Sequence, residues 1–236
     1  LNATYTLLNI IIPIITIPYV SRILLADGVG KVSFAQNIVS YFVLIASLGI
    51  PNYGIREVAK SANDIFQCSK VFWEIFLINC ISTVIAAIAY YTTILTVGYF
   101  GDKRILLIIV GLSLVLNICN IDWFYKGIED FKYITIRSYI VKMLSLVAIL
   151  IFVRSPKDIV VYAFIVTATT STNYILNIIH VRKLINLYPI RKLELKSHLK
   201  PIFFMFATAL AVELYAQLDT TMVGILCGDI YVGYYS

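Results

Sequence analysis

Residues 71–97 read VFWEIFLINCISTVIAAIAYYTTILTV, an apolar stretch in which Glu74 is the one charged residue. As a helix, this stretch is long enough to cross the hydrocarbon core of a bilayer, which is about 30 Å thick. Six further stretches of similar character occur in the chain, at 3–25, 33–50, 105–124, 134–153, 159–180 and 201–227. We therefore predict seven membrane-spanning helices.

The composition of the whole chain supports the same class. Hydrophobic residues make up 60% and charged residues 14% of the sequence, and the mean hydropathy is +0.88. A soluble domain is closer to half apolar and a quarter charged, so folding alone cannot remove this much apolar surface from water. We expect an all-α integral membrane protein, built as a polytopic bundle of transmembrane helices.

Lysine and arginine are unevenly distributed between the two sets of connections. The connections after the second, fourth and sixth stretches hold twelve of them: Arg56, Lys60, Lys70, Lys126, Lys132, Arg137, Arg182, Lys183, Arg191, Lys192, Lys196 and Lys200. The opposite connections, with the residue ending the first stretch, hold six: Arg22, Lys31, Lys103, Arg104, Arg154 and Lys157. The positive-inside rule then places the even-numbered connections and the N-terminus in the cytoplasm. These charges lie between membrane spans and do not cover one face of the protein, so they do not indicate nucleic-acid binding.

Polar residues recur at helical spacing inside several of the apolar stretches, so that they share one face of each helix. The positions that we select as candidates to line a cavity are Asn37, Ser40, Asn117, Asn120 and Asn177. Such stripes are also explained by hydrogen bonds between helices, which contribute about 0.6 kcal/mol each in measured cases. Their occurrence in several helices at once favours a shared, hydrated cavity.

Charged residues within the spans are the sharpest functional candidates, because burying one in a bilayer costs a few kcal/mol. Glu213 lies midway through the last apolar stretch, and Asp219 follows on a different side of the same helix. A carboxyl shielded from water has a raised pKa, which suits proton binding. Lys142 lies within the fifth stretch, on a polar stripe.

Other charged residues lie nearer the ends of the stretches. Arg22, Glu74 and Asp122 are candidates for the same reason, although side chains in such places also extend to the membrane interface. The two histidines, His180 and His198, fall in the same basic connection. We assign no special role to either histidine.

The sequence contains no recognisable motif of ATP-driven transport or of enzymatic catalysis. GxxxxGK[ST], HExxH and GxSxG are all absent. The cysteines are scattered in or beside apolar stretches and show no metal-binding spacing; they are Cys68, Cys80, Cys119 and Cys227. We expect neither an enzyme nor a metal or organic cofactor, other than a coupling proton or sodium ion.

Three positions are candidates for a gate or hinge. Pro18 interrupts the first apolar stretch, and Pro51 follows Gly49 where a helix ends and a short surface helix begins. Asp122 opens a connection in which residues 123–125 are all aromatic. We interpret these aromatic residues as a membrane-interface anchor, with a gate or hinge as the alternative.

Several segments, taken together in their order and spacing, resemble a known transporter family. They are Pro18-Tyr-Val-Ser-Arg22 with Gly28-Val-Gly30, Gly49-Ile-Pro-Asn-Tyr-Gly-Ile-Arg-Glu57, Asp122-Trp-Phe-Tyr-Lys-Gly127, Leu218-Asp-Thr-Thr-Met-Val-Gly224 and Val232-Gly-Tyr-Tyr-Ser236. They resemble the Wzx-type polysaccharide and O-antigen flippases of the multidrug/oligosaccharidyl-lipid/polysaccharide exporter superfamily. The chain departs from the family at residues 25–27, Leu-Ala-Asp, where many relatives have a glycine-containing turn.

The resemblance implies about twelve helices in two six-helix lobes around a central cavity. Residues 1–200 would then form the first lobe, and residues 201–236 the first helix of a second lobe that the chain does not complete. A weak internal repeat agrees with two such lobes: residues 30–33 read Gly-Lys-Val-Ser, and residues 233–236 read Gly-Tyr-Tyr-Ser.

The same resemblance implies a function in the bacterial inner membrane. The substrate would be an undecaprenyl-diphosphate-linked oligosaccharide, moved from the cytoplasmic to the outer leaflet for O-antigen or capsular polysaccharide synthesis. Arg22 and Lys142 would attract the diphosphate, and Glu213 and Asp219 would bind the coupling ion during alternating access. Membrane lipids and the polysaccharide polymerase machinery are the expected partners.

Two other functions are compatible with such a bundle. One is a drug or small-cation exporter of the same superfamily, which needs an acidic, aromatic-lined pocket. The other is a membrane glycan polymerase or ligase, which is expected to carry a large loop outside the cytoplasm. The first-lobe membrane residues are basic or neutral, and residues 1–236 contain no such loop, so we favour the flippase.

Overall fold

The computed structural model describes residues 2–186, 188–189 and 193–235, with side chains from Pro13 onward. These residues form nine α-helices: α1 Asn2–Ser47, α2 Ile50–Ser61, α3 Ile65–Thr96, α4 Arg104–Val115, α5 Asp122–Gly127, α6 Phe131–Phe152, α7 Ile159–Val181, α8 Leu195–Leu226 and α9 Asp229–Tyr235. Two 3₁₀ turns, Gly98–Lys103 and Leu116–Cys119, flank α4. The described part of the chain contains no β-strand.

Five helical stretches among the described residues are long and apolar enough to cross a membrane. They are Pro13–Ser61, Ile65–Thr96, Phe131–Phe152, Ile159–Val181 and Leu195–Leu226. Large apolar side chains cover their outward surfaces, as expected where lipid rather than water is the solvent. The prediction of an all-α, polytopic membrane bundle is confirmed.

The first two predicted spans, 3–25 and 33–50, run together in α1. A straight helix of 46 residues would be about 69 Å long, more than twice the thickness of the hydrocarbon core. At Leu25, however, the backbone leaves the helical region, with φ 59° and ψ 176°. This bend divides α1 into two lengths that each match a bilayer. Pro18, a hinge candidate, lies within the first of them.

The fourth predicted span, 105–124, is not one helix. α4 ends at Val115, and a 3₁₀ turn separates it from α5. Ending a helix inside an apolar bundle leaves carbonyl groups without their usual donors. The amide Nδ2 of Asn79 on α3 lies 3.2 Å from the carbonyl oxygen of Asn117 and 3.4 Å from that of Ile118. A polar side chain from a neighbouring helix therefore supports the break.

One end of the bundle is built from short elements and is rich in lysine and arginine; we call it the basic end. It contains α2, α5, the start of α3 and the start of α8, packed around one apolar cluster. Gly54 permits the close approach of α2 to the Trp123 ring, because a Cβ atom there would lie 2.6 Å from that ring. A second cluster joins α1, α3, α4 and α7 deeper in the bundle.

At the opposite end, Asp158 orders the turn that precedes α7. The backbone N–H groups of Arg154 and Ser155 donate to its carboxylate, at 3.0 and 2.8 Å. These two hydrogen bonds hold the pKa of Asp158 below its usual range. The carboxylate therefore stays ionised at neutral pH next to the positive end of the α7 dipole.

Candidate functional site

Asn37 joins α1 to α8 through a dense set of hydrogen bonds. Its Nδ2 donates to Oε1 of Gln217 at 2.5 Å and to the Gln217 carbonyl oxygen at 3.2 Å. Its Oδ1 accepts a hydrogen bond from the hydroxyl of Thr221 at 2.6 Å, and the hydroxyl of Tyr41 lies 2.7 Å from the same threonine oxygen. Asn37 is 4% exposed, so in this state its amide is satisfied by α8 rather than by water.

Glu213 lies one turn before this set on the same face of α8. Its Oε1 accepts a hydrogen bond from Nε2 of Gln217 at 3.2 Å. The carboxyl also lines a crevice of about 280 Å³ between α8 and α1, together with Ser40, Ser47 and Asn52. A half-buried carboxylate beside hydroxyl and amide groups is suited to bind a proton or a small cation.

Asp219, the other candidate for ion coupling, is placed differently. It is exposed on α8, and it accepts a hydrogen bond from the hydroxyl of Tyr235 on α9 at 3.1 Å. The structure therefore does not bring Asp219 into the crevice that holds Glu213. The coupling roles of both residues stay predictions.

Ser40 and Asn120 make local hydrogen bonds, whereas Asn117 links the turn after α4 to α1. The Ser40 hydroxyl donates to the Asn37 carbonyl at 2.7 Å and borders a second crevice of about 220 Å³. The Asn117 amide donates to the Ser47 hydroxyl at 3.3 Å, and Asn120 donates to Oδ1 of Asn117 at 3.1 Å. The stripes thus serve packing as well as bordering two crevices.

Asn177 belongs to a buried charged cluster that the stripe pattern did not predict. Its Nδ2 donates to Oδ1 of Asp122 at 2.8 Å, and its Oδ1 accepts a hydrogen bond from Arg137. The Arg137 guanidinium also pairs with Asp122 at 3.1 Å and donates to Asn173 at 3.1 Å. The cluster ties α5, α6 and α7 together, with Asp122 accepting hydrogen bonds from the other two helices.

Arg137 itself was assigned to a basic connection and is found inside the protein. Its side chain is 4% exposed. The signal in the sequence was its position, since residue 137 falls inside the predicted span 134–153, where a charged residue is costly. The counting of charges by connection concealed that signal.

The two cationic candidates for binding a diphosphate lie apart from the asparagine links. Arg22 is exposed on α1 and makes no hydrogen bond within the described ranges, whereas Lys142 is half-buried on α6. Their roles toward a substrate stay predictions. No three His, Cys, Asp or Glu side chains of the described chain are grouped as metal ligands.

The gate candidates Pro51 and Asp122 lie at the basic end. Pro51 occupies the first turn of α2, where its missing N–H costs nothing. The preceding Gly49 has φ 74°, and a Cβ atom there would lie 2.5 Å from the backbone nitrogen of Phe206 on α8. The aromatic residues 123–125 are buried, so the interpretation of their rings as a surface anchor is wrong.

A buried contact at the basic end was missed altogether. The hydroxyl of Tyr53 lies 2.7 Å from Nδ1 of His198, and Nε2 of His198 lies 2.9 Å from Oε2 of Glu74. All three residues are buried, Glu74 at 2% exposure. We had expected no special role for His198. The partners come from three separate helices, and 124 residues separate Glu74 from His198, so no local spacing could have revealed the pairing.

Comparison with known proteins places the chain in a family of polysaccharide biosynthesis proteins. Residues 1–236 match the family described as "Polysaccharide biosynthesis protein". A protein of Escherichia coli (strain K12) named "Putative O-antigen transporter" is 24% identical over 230 residues, covering 95% of this chain and 55% of the relative. A Shigella dysenteriae protein of the same name is 24% identical over 230 residues, covering 95% of this chain and 57% of its own length.

The chain thus spans somewhat more than half the length of these relatives. No solved structure matches it. The resemblance drawn from the sequence segments to polysaccharide flippases is confirmed by the family match.

Proposed function

Because the chain belongs to the family of polysaccharide biosynthesis proteins, we propose that it is part of a flippase for lipid-linked oligosaccharides. The substrate is an undecaprenyl-diphosphate-linked repeat unit, which crosses from the cytoplasmic to the outer leaflet for O-antigen or capsular polysaccharide synthesis. The names of the relatives from E. coli and Shigella support transport as the activity.

The observation that carries this proposal is the crevice between α1 and α8, whose mostly apolar wall carries four polar side chains. It lies in an otherwise apolar bundle and is bordered by hydroxyl, amide and carboxyl groups of Ser40, Ser47, Asn52 and Glu213. Sugars and a diphosphate cannot enter hydrocarbon without losing their hydrogen bonds to water. Side chains of these types replace those bonds, while Arg22 and Lys142 supply positive charge for the diphosphate.

The basic end faces the cytoplasm in this proposal, with the N-terminus on the same side of a bacterial inner membrane. The uneven distribution of lysine and arginine supports this orientation. Substrate enters from the basic end, and the lobe then rocks against the remainder of the transporter. Glu213 binds the proton or sodium ion that drives the cycle, because it is the carboxyl that borders the crevice.

The test is transport of a labelled lipid-linked oligosaccharide by the full-length protein in proteoliposomes. We expect Glu213→Gln to lower the transport rate about 10-fold or more and to remove its dependence on an ion gradient, because glutamine cannot exchange a proton or carry the charge. Asp102→Asn is the matched control, since Asp102 is an exposed acid outside the long helices.

Two results would contradict the proposal at different levels. Gradient-dependent transport by Glu213→Gln at the wild-type rate would exclude this residue as the coupling site. A wild-type protein that moves small organic cations but no lipid-linked oligosaccharide would exclude the flippase assignment and favour an exporter of drugs.

A further inference from the structure

Besides the apolar packing of Ile202 and the close approach of Gly49 to Phe206, one buried hydrogen-bonded chain attaches the basic-end part of α8 to the lobe. His198, Ile202 and Gly224 are the buried residues of this 32-residue helix. The first two lie at the basic end and Gly224 lies at the other. Between these points the surface of α8 is largely exposed. The contacts of His198 therefore account for most of the polar attachment at the basic end.

The chemistry of the chain determines which atom donates. Because the Glu74 carboxylate is an acceptor, Nε2 of His198 carries the hydrogen that bridges the 2.9 Å between them. Nδ1 then accepts the hydroxyl hydrogen of Tyr53 at 2.7 Å when the imidazole is neutral. In the imidazolium form Nδ1 donates to the same hydroxyl oxygen, so either form keeps both contacts.

Further donors compensate the charge of Glu74. The backbone N–H of Glu194 donates to Oε1 at 2.7 Å, and the Lys70 ammonium lies 3.8 Å from the same atom. Lys70 also lies 3.7 Å from the exposed carboxylate of Glu194. Glu194, directly before α8, and His198 of the helix itself thus converge on a single carboxylate of α3.

A contact of this kind suits surfaces that separate and meet again. A buried charged set contributes little net stability compared with apolar packing of the same volume. Its members recover hydrogen bonds to water when they are exposed, which offsets much of the free energy needed to break each contact. The geometry also restores one specific register on closing, since both hydrogen bonds of the His198 ring must align at once.

We propose that Tyr53, His198 and Glu74 form a latch that holds the start of α8 against the lobe, and that this latch must open for the basic end to admit substrate. The proposal rests on the proposed transport function, because it assigns an entry step to this end. It names a contact outside the crevice that holds Glu213.

The first experiment measures opening without any substrate. In the full-length protein, Cys68, Cys80, Cys119 and Cys227 are replaced by alanine, and Ile202→Cys is introduced as a reporter. Ile202 is 2% exposed beside the latch, so N-ethylmaleimide reaches it only when α8 moves away. We expect Glu74→Gln to raise the alkylation rate about 10-fold and Tyr53→Phe a few-fold, because the first removes the charge and the second one hydrogen bond.

Two controls separate latch opening from general loosening. Glu129→Gln changes an exposed acid at the same end and should leave the rate unchanged. Ala86→Cys reports on the second apolar cluster, where it is 1% exposed, and its alkylation should not respond to Glu74→Gln. An unchanged rate at Ile202→Cys would overturn the latch, as would an equal rise at both reporters.

The second experiment tests whether opening is required. Tyr53→Cys and His198→Cys are combined in the same background and joined with a short bismaleimide. We expect the cross-linked protein to lose at least about 90% of the oligosaccharide transport that the untreated double variant shows. Failure to cross-link, or full transport after cross-linking, would overturn the proposal. If no form transports oligosaccharide, the proposed function fails, while the alkylation result stands by itself.

Discussion

The two ends of α8 meet the rest of the protein through different kinds of contact. At the basic end a chain of side-chain hydrogen bonds centred on His198 adds to the apolar packing of Ile202 and to the close approach of Gly49 to the Phe206 backbone. At the opposite end close backbone packing predominates: Gly224 lies against the Phe34 ring, and in α9, which follows directly, Gly233 lies against the Ala26 carbonyl. Water can replace the hydrogen bonds of the basic end one by one, whereas it cannot enter the glycine contacts of the opposite end without separating two helices.

This difference indicates which end moves. Gly30 and Gly233 remove the side chains that would keep α1 and α9 apart, and a Cβ atom at either would fall within 2 Å of a backbone oxygen, at 1.7 and 1.9 Å. The Lys103 ammonium pairs with Asp229 at 2.5 Å and lies 4.4 Å from the centre of the Phe34 ring. We therefore expect the glycine contact to persist while the basic end opens.

The largest expected effect comes from breaking the glycine contact. Gly30→Ala places a methyl group 1.7 Å from the Asp229 carbonyl oxygen, so the two helices must separate. We expect a loss of about 3 kcal/mol or more, seen as a melting temperature lowered by roughly 2–4 °C per kcal/mol in detergent. Gly101→Ala is the control, since nothing lies within 4 Å of its Cβ position. Equal melting temperatures for the two variants would refute the close packing.

An intermediate effect is expected from removing the charge at that end. Lys103→Met leaves Asp229 nearly buried, with its side chain 11% exposed and no cation beside it, and we expect a loss of about 3 kcal/mol. The matched control is Lys31→Met, because Lys31 pairs with Asp27 at a similar 2.6 Å but with both side chains well exposed. That control should lose less than about 1 kcal/mol. If thermal unfolding shows comparable losses of stability for the two variants, burial does not distinguish the Lys103–Asp229 pair from the Lys31–Asp27 pair.

The smallest effect on stability should come from the basic end. Tyr53→Phe removes one hydrogen bond to His198, and we expect a loss of about 1 kcal/mol in the same unfolding measurement. The alkylation rate of a cysteine at position 202 should nevertheless rise, since the contact is easier to open. A Tyr53→Phe protein as destabilised as Gly30→Ala would remove the contrast between the two ends.

The sequence predicted the class of the fold well and the connections of the helices less well. The membrane spans can be located from length and hydropathy, because both properties depend only on residues that are neighbours along the chain. The turn at Leu25 and the break after Val115 depend on partners elsewhere, such as the Asn79 amide that supports the freed carbonyls. A local sequence pattern does not identify partners that are distant along the chain.

The candidate site shows the same division. Spacing along α8 placed Asp219 on a different side of the helix from Glu213, and of the two only Glu213 borders the crevice. The pairs Arg137–Asp122 and His198–Glu74 join different helices. In the sequence Arg137 and His198 are counted with connections, whereas Glu74 and Asp122 lie near the ends of spans. Identifying these pairs requires the three-dimensional packing.

The one-residue turn at Leu25 has a practical consequence for labelling the protein. Helical backbone continues on both sides of it, and Gly28 and Gly30 pack against Ile159 and Asp229 just beyond. An epitope or fluorescent tag inserted there would rotate one membrane helix relative to the next. The turn at Gly98–Lys103 offers a better place, because Gly98 and Gly101 have open space around them and exposed turns accept insertions.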